Sequence, residues 1–163
     1  MSKEQVVDLS KIKTGGTFLT NVVGSEKVFC KELFSEEEKM IYEAMHDFAI
    51  NELLPLSQNE LNKKDEKLIR KLVEQMGDLG FLGIDVPEKY GGSEMTKTGM
   101  CILAEGISFC GSASFCTVWN VQTSIGSLGI IWYGNDEQKQ KWLPGICSGE
   151  KIAAFGLTEP EAG

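Results

Sequence analysis

Histidine is nearly missing from this chain. His46 is the single one in 163 residues, so a His-rich metal centre cannot assemble within it and no metal site is expected. A Ser-His-Asp arrangement would have to recruit His46, which lies in a charged helical stretch and reads as a surface or boundary residue. Cysteine is odd in number, five in all, with no C-x-x-C pair among Cys30, Cys101, Cys110, Cys116 and Cys147. That pattern argues against a disulfide framework or a zinc site and favours a reducing, cytoplasmic setting. Basic residues are outnumbered, 16 Lys and Arg against 24 Asp and Glu, for a net charge of −8. This sign argues against nucleic acid, which is bound by a basic face, and against anionic membrane surfaces. Neither a G-x-G-x-x-G nor a Walker glycine loop is present, so a dinucleotide would not sit in a Rossmann crevice. The N-terminus has neither the apolar run of a secretory signal nor the Arg-rich, acid-poor pattern of a mitochondrial presequence.

What the chain does have is helix. Its hydrophobic content of 42% and charged content of 25% are those of a soluble globular protein with room for one core. Residues 1–34 form a leader broken by Gly15-Gly16 and Gly24-Ser25. The first helix is expected from Ser35, where Ser35 and Glu38 have capping-box spacing. Ile41, Ala44, Met45, Phe48 and Ala49 then share one face, and Pro55 should end it. Residues 59–65 read as a polar connection. A second helix runs from about Asp65 to Leu79 with Leu68, Ile69, Leu72, Val73 and Met76 as its buried stripe and Gly80 as its C-terminal cap. The proline and paired glycines of residues 81–92 predict an extended loop. A third helix covers about Thr98 to Phe109. Its one charge, Glu105, is expected to be a hydrogen-bonded or edge-of-core carboxylate, not a base.

From Gly106 to Asn135 no residue is charged. Ala113 to Tyr133 is long enough to cross a bilayer, but Ser112, Ser114, Asn120, Gln122, Thr123, Ser124 and Ser127 are too many polar groups for a lipid-facing span. Two readings stay open: the central buried helix of a bundle, or the wall of an apolar pocket. Gly126 and Gly129 permit close approach, and Gln122 and Thr123 place polar atoms within that wall. Gly134 then closes this helix. Asn135 and Gln138 form a second capping box, opening a short polar helix through Trp142.

The pattern changes at the end. Ile152 to Leu157 is a short apolar run of strand type. Glu159-Pro160 favours an extended residue 159, and Ala162-Gly163 adds a position where backbone can approach a ligand. Such a segment is either an ordinary strand and turn or an array of N–H groups and one hydroxyl suited to a flat, polar-edged ring.

Three phrases in order bear on that choice: Gly83-Ile84-Asp85-Val86-Pro87-Glu88-Lys89-Tyr90-Gly91-Gly92, the run Gly134 to Glu150, and Phe155-Gly156-Leu157-Thr158-Glu159-Pro160-Glu161-Ala162-Gly163. Together they closely resemble the acyl-CoA dehydrogenase family, from about Ser35 to Gly163. The resemblance implies an all-α helical bundle over residues 35–150 and, over residues 151–163, the first strand of a following β domain. It implies the front third of a longer enzyme that binds FAD and dehydrogenates an acyl-CoA in fatty acid β-oxidation. An electron-transfer flavoprotein would accept the electrons, and the full-length protein would be a homo-oligomer. Phe155 and Leu157 would turn main-chain groups to the flavin, Thr158 would reach its reactive edge and Gly163 would approach the pyrophosphate. Val121-Gln122-Thr123 resembles the acyl-chain helix of the medium-chain branch, which makes Gln122 and Thr123 expected substrate neighbours. The family's glutamate base lies downstream, so no catalytic residue is expected within this chain. An acyl-CoA oxidase shares the fold, and a non-catalytic helical binding or assembly module is the competing reading from another class.

Overall fold

The computed structural model describes residues 31–56, 60–63 and 65–162. The chain divides into two units, Met1–Lys39 and Met40–Gly163. Of the leader, residues 1–30 lie outside the described residues. The rest of the first unit holds a 3₁₀ turn, Lys31–Leu33, and the start of helix α1 (Glu36–Phe48). The expected capping box is formed: the Ser35 N–H donates to Glu38 Oε2 at 2.8 Å, and the Glu38 N–H to Ser35 Oγ at 3.1 Å.

Pro55 does not simply stop α1. The helix widens into a π turn over Ala49–Leu53, then tightens into a 3₁₀ turn over Leu54–Leu56. The Leu54 N–H reaches back to the Ala49 carbonyl, so the wider pattern ends one residue before Pro55, which has no N–H to extend it. The polar connection also hides an apolar anchor, since Leu61 is buried in a short 3₁₀ turn.

Helix α2 (Glu66–Asp78) is capped by Asp65, whose Oδ1 accepts from the N–H groups of Lys67 and Leu68. It ends in a Schellman motif. Gly80 takes φ of +77°, its N–H donates to the Gly77 carbonyl, and the Phe81 N–H donates to the Met76 carbonyl. Leu72, Val73 and Met76 are buried as their spacing predicts. The loop that follows is irregular but satisfied. Ile84, Val86 and Tyr90 are buried, and the N–H groups of Ser93, Glu94 and Met95 donate to the carbonyls of Gly83, Val86 and Ile84. Gly92 must lack a side chain, because a Cβ there would lie 2.0 Å from the Val86 oxygen.

Helix α3 (Lys97–Ile107) is capped by Thr96 and runs into a 3₁₀ turn, Ser108–Cys110. Glu105 is half-buried. His46 is a boundary residue, stacked on Tyr42 and edge-on to Phe109.

The uncharged stretch is two helices, not one: α4 (Ala113–Thr123) and α5 (Leu128–Tyr133). The break has a local cause. Thr123 Oγ1 donates to the Trp119 carbonyl, and both the hydroxyl and the N–H of Ser124 turn to the Asn120 carbonyl. Side-chain hydroxyls that take helical carbonyls compete with the helix ladder. Only α4 is buried, through Phe115, Trp119, Gln122 and Thr123. The expectation of a buried helix out to Tyr133 is corrected for α5, where Tyr133 is 86% exposed and Trp132 is also exposed.

Helix α6 (Asp136–Cys147) starts on the predicted Asn135–Gln138 capping box. It runs past the expected end at Trp142, because the ladder resumes beyond Pro144 with the Ser148 N–H donating to the Pro144 carbonyl. Two apolar clusters result within the second unit. The larger joins α1, α2, α3 and α4 through residues such as Met45, Met76, Leu103 and Phe115. The smaller joins Val86 and Tyr90 to Leu143 and Ile146 of α6. Among the described residues there is no sheet, and residues 152–158 stand without a ladder partner. A strand needs a neighbour to pair with, so the expected strand over residues 152–157 is present only as an extended segment.

Candidate functional site

The candidate site is that terminal segment and the ground it leaves from. After α6 the Lys151 N–H donates to the Gly145 carbonyl at 2.8 Å. Gln122 then takes hold of it. Its side-chain Nε2 donates to the Ile146 carbonyl at 3.0 Å and to the Lys151 carbonyl at 2.8 Å, and its Oε1 accepts from the Ala153 N–H at 2.7 Å. Gln122 is 0% exposed. Beside it, a Cβ on Gly126 would lie 2.8 Å from the Ala153 Cβ, so the glycine lets residue 153 approach.

Beyond Ala153 the chain is open. Phe155 is 58% and Leu157 75% exposed, and Gly156 and Thr158 are exposed. Among the described residues, no main-chain group from Ala154 to Thr158 makes a hydrogen bond. The segment then turns at Pro160-Glu161, where Glu159 and Ala162 exchange N–H···O bonds of 2.9 and 3.3 Å. N–H donors, C=O acceptors, two exposed apolar side chains and the Thr158 hydroxyl are the groups that a planar ring with polar edges requires. These residues therefore fit a flavin. Gly163 lies outside the described residues.

Gln122 and Thr123 are brought near this segment's root but turn inward. Thr123 Oγ1 donates to the Trp119 carbonyl at 2.9 Å, and both residues are buried with their polar atoms bonded within the fold. A shallow groove lies elsewhere, about 260 Å³ lined by Gly129, Ile130, Tyr133, Gly134, Gln138 and Trp142. The reading of residues 113–133 as a possible pocket wall touches this groove at Gly129, Ile130 and Tyr133, but it did not anticipate Gln138 and Trp142, which lie on the next helix.

Tyr90, Lys89 and Asp136 meet across the second cluster's edge. The Tyr90 hydroxyl donates to Asp136 Oδ1 at 2.6 Å, and Lys89 Nζ lies 3.7 Å from the same oxygen. The Tyr90 hydrogen bond, then the Lys89 charge, hold the Asp136 carboxyl below its ordinary range. Cys116 and Cys147 are not poised as nucleophiles. Burial, together with the Cys110 thiol 3.4 Å away, pushes Cys116 up to about 12, and burial pushes Cys147 up to about 11. Among the described residues no cluster of His, Cys, Asp and Glu has the geometry to hold a metal ion, and no helix is long and apolar enough to cross a membrane.

The chain is similar to known proteins in sequence and in structure. The family model for the acyl-CoA dehydrogenase N-terminal domain matches residues 35–150. A probable acyl-CoA dehydrogenase of Bacillus subtilis is 40% identical over 152 residues, which are 93% of this chain and 25% of that protein. The crystal structure of an acyl-CoA dehydrogenase complexed with FAD, from Bacillus anthracis, superposes with a TM-score of 0.80 and 41% identity over 91% of this chain and 25% of its own. A structure described as the electron transferring flavoprotein of Acidaminococcus fermentans superposes with a TM-score of 0.68 and 32% identity, over 82% of this chain and 34% of its own. The chain thus spans about a quarter to a third of the proteins it matches.

Proposed function

The chain belongs to the acyl-CoA dehydrogenase family, and from that membership we propose that it forms the N-terminal part of an FAD-dependent enzyme that dehydrogenates an acyl-CoA thioester between its α and β carbons. The single observation that carries this is the extended segment 154–158, whose main-chain groups make no hydrogen bond among the described residues where the helical body ends.

The reaction removes a proton from the α-carbon and a hydride from the β-carbon. When bound, FAD supplies the hydride acceptor. The chain's own part is orientation. Main-chain groups of Phe155 and Leu157 would hold the ring's polar edge, and the Thr158 hydroxyl would reach its reactive side. The uncharged face of α4, with Gln122 and Thr123 beneath it, walls the acyl chain and excludes water, which strengthens every electrostatic contact at the reacting atoms. No residue of this chain takes the α-proton. The reading places the protein in the cytoplasm and in fatty acid β-oxidation, within a lipid-metabolising homo-oligomer that passes electrons to an electron-transfer flavoprotein.

The test is spectroscopic. The full-length protein carrying this segment is purified and its visible absorption recorded before and after anaerobic addition of a saturated acyl-CoA. A yellow protein bleached by the thioester is the expected result. A folded, colourless protein that takes up no FAD overturns the reading. Rapid reoxidation by oxygen would reassign it as an acyl-CoA oxidase.

A further inference from the structure

Among the described residues, Gln122 is a buried side chain with every polar atom in use. It makes three hydrogen bonds of 2.7 to 3.0 Å, to residues 24, 29 and 31 positions away. A primary amide has two N–H donors and one carbonyl, and here both donors and the carbonyl are occupied. The partners are not arbitrary. One is the Ile146 carbonyl at the end of α6, one the Lys151 carbonyl where the chain leaves α6, and one the Ala153 N–H. Among the described residues, the Ala153 bond is the last that ties the terminal segment to the helical body, since the bonds beyond it are internal to the 159–162 turn. Gly126 supports the same contact by a different means, leaving space that a Cβ would deny to Ala153.

We propose that Gln122 is a positioning residue for the flavin loop: its amide clamps residues 151–153 and thereby sets where Phe155 to Thr158 stand. The proposal rests on the reading that this loop holds FAD. The lever is short. An extended chain advances about 3.3 Å per residue, so Phe155 lies only roughly 7 Å beyond the anchored Ala153 N–H. A small change in direction at the anchor moves the groups that face the ring by a similar amount. Other residue types fail for distinct reasons. Methionine fills the volume but takes away both donors and the acceptor: the Lys151 carbonyl and the Ala153 N–H lose their Gln122 bonds, and the Ile146 carbonyl keeps the Gly149 N–H at 3.3 Å. Glutamate keeps the acceptor for Ala153 but turns a carboxylate oxygen, without its donors, toward two carbonyls in a site closed to water. Glutamine alone among these offers donors to one side and an acceptor to the other.

The experiment uses the full-length flavoprotein and compares Gln122→Met and Gln122→Glu with Trp119→Phe. The last loses an equally buried bond, from Trp119 Nε1 to the Phe81 carbonyl at 3.0 Å, but leaves the terminal segment untouched. FAD affinity is measured by titrating the apoprotein, and the flavin's visible absorption bands are recorded for each holoprotein. Gln122→Met is expected to weaken FAD binding by about tenfold or more and to change the band structure, while Trp119→Phe lowers the melting temperature and keeps both flavin properties. Gln122→Glu, if Gln122→Met does not fold, is expected to regain affinity relative to wild type as pH falls, because a protonated carboxyl recovers a donor. Wild-type FAD affinity and spectrum in a folded Gln122→Met, or in Gln122→Glu at neutral pH, overturn the clamp alone. A wild-type protein that binds no flavin overturns the clamp and the flavin reading together.

Discussion

Two irregular segments of this chain carry family-like phrases, and they are built in opposite ways. Residues 81–95 bury Ile84, Val86 and Tyr90 and close their own backbone bonds, Ser93 to Gly83, Glu94 to Val86 and Met95 to Ile84. Residues 154–158 expose Phe155 and Leu157 and close none among the described residues. Main-chain groups are obligatory hydrogen-bonding groups. A loop that satisfies them internally is a structural part, and one that leaves them open in a fixed direction is prepared for something else. The first loop needs no ligand to explain it.

This contrast is broken most sharply at glycine. Gly92→Ala drives a Cβ to 2.0 Å from the Val86 oxygen, and a loss of about 3 kcal/mol or more is expected in chemical denaturation. Gly156→Ala meets nothing within 4 Å and should stay within about 0.5 kcal/mol of wild type. Equal losses at the two positions would erase the distinction. Apolar truncation comes next. Ile84→Ala, at a fully buried site, is expected to cost about 2–5 kcal/mol, whereas Leu157→Ala should leave the denaturation midpoint of this chain nearly unmoved.

The smallest effect is electrostatic. The Tyr90 bond lowers the Asp136 carboxyl, so its contribution is present above the carboxylate's ordinary pKa and is lost as pH falls through the lowered one. Tyr90→Phe should raise the Asp136 midpoint in an NMR titration and remove that part of the acid dependence of the melting temperature. An unmoved midpoint would mean that Lys89, 3.7 Å away, holds the carboxyl by itself.

The sites were legible to different depths. Phe155, Leu157 and Thr158 stood out as candidates because a family-like phrase carries them and because strand-type residues after a helical body signal a change of architecture. Gln122 was visible as a polar residue in an uncharged run, but its partners were not, since they lie 24 to 31 positions away on another helix and the segment after it. The split of residues 113–133 into two helices was half legible: Ser124 and Gly126 are weak helix formers, yet periodicity alone did not place the break between them. The exposure of Trp132 and Tyr133 was hidden for the opposite reason, because aromatic residues read as core.

What the sequence determined by itself is where three helices begin and where one of them ends. Ser35 with Glu38, Asp65 with Lys67 and Leu68, Asn135 with Gln138, and Gly80 with Gly77 act across two or three positions, a distance over which local geometry leaves little choice. What only the tertiary structure decided is which of two uncharged helices is buried, and where the terminal segment points. Both depend on contacts that close long loops, and these form only once α4 and α6 have packed and the Gln122 amide has met the carbonyls of Ile146 and Lys151 and the Ala153 N–H.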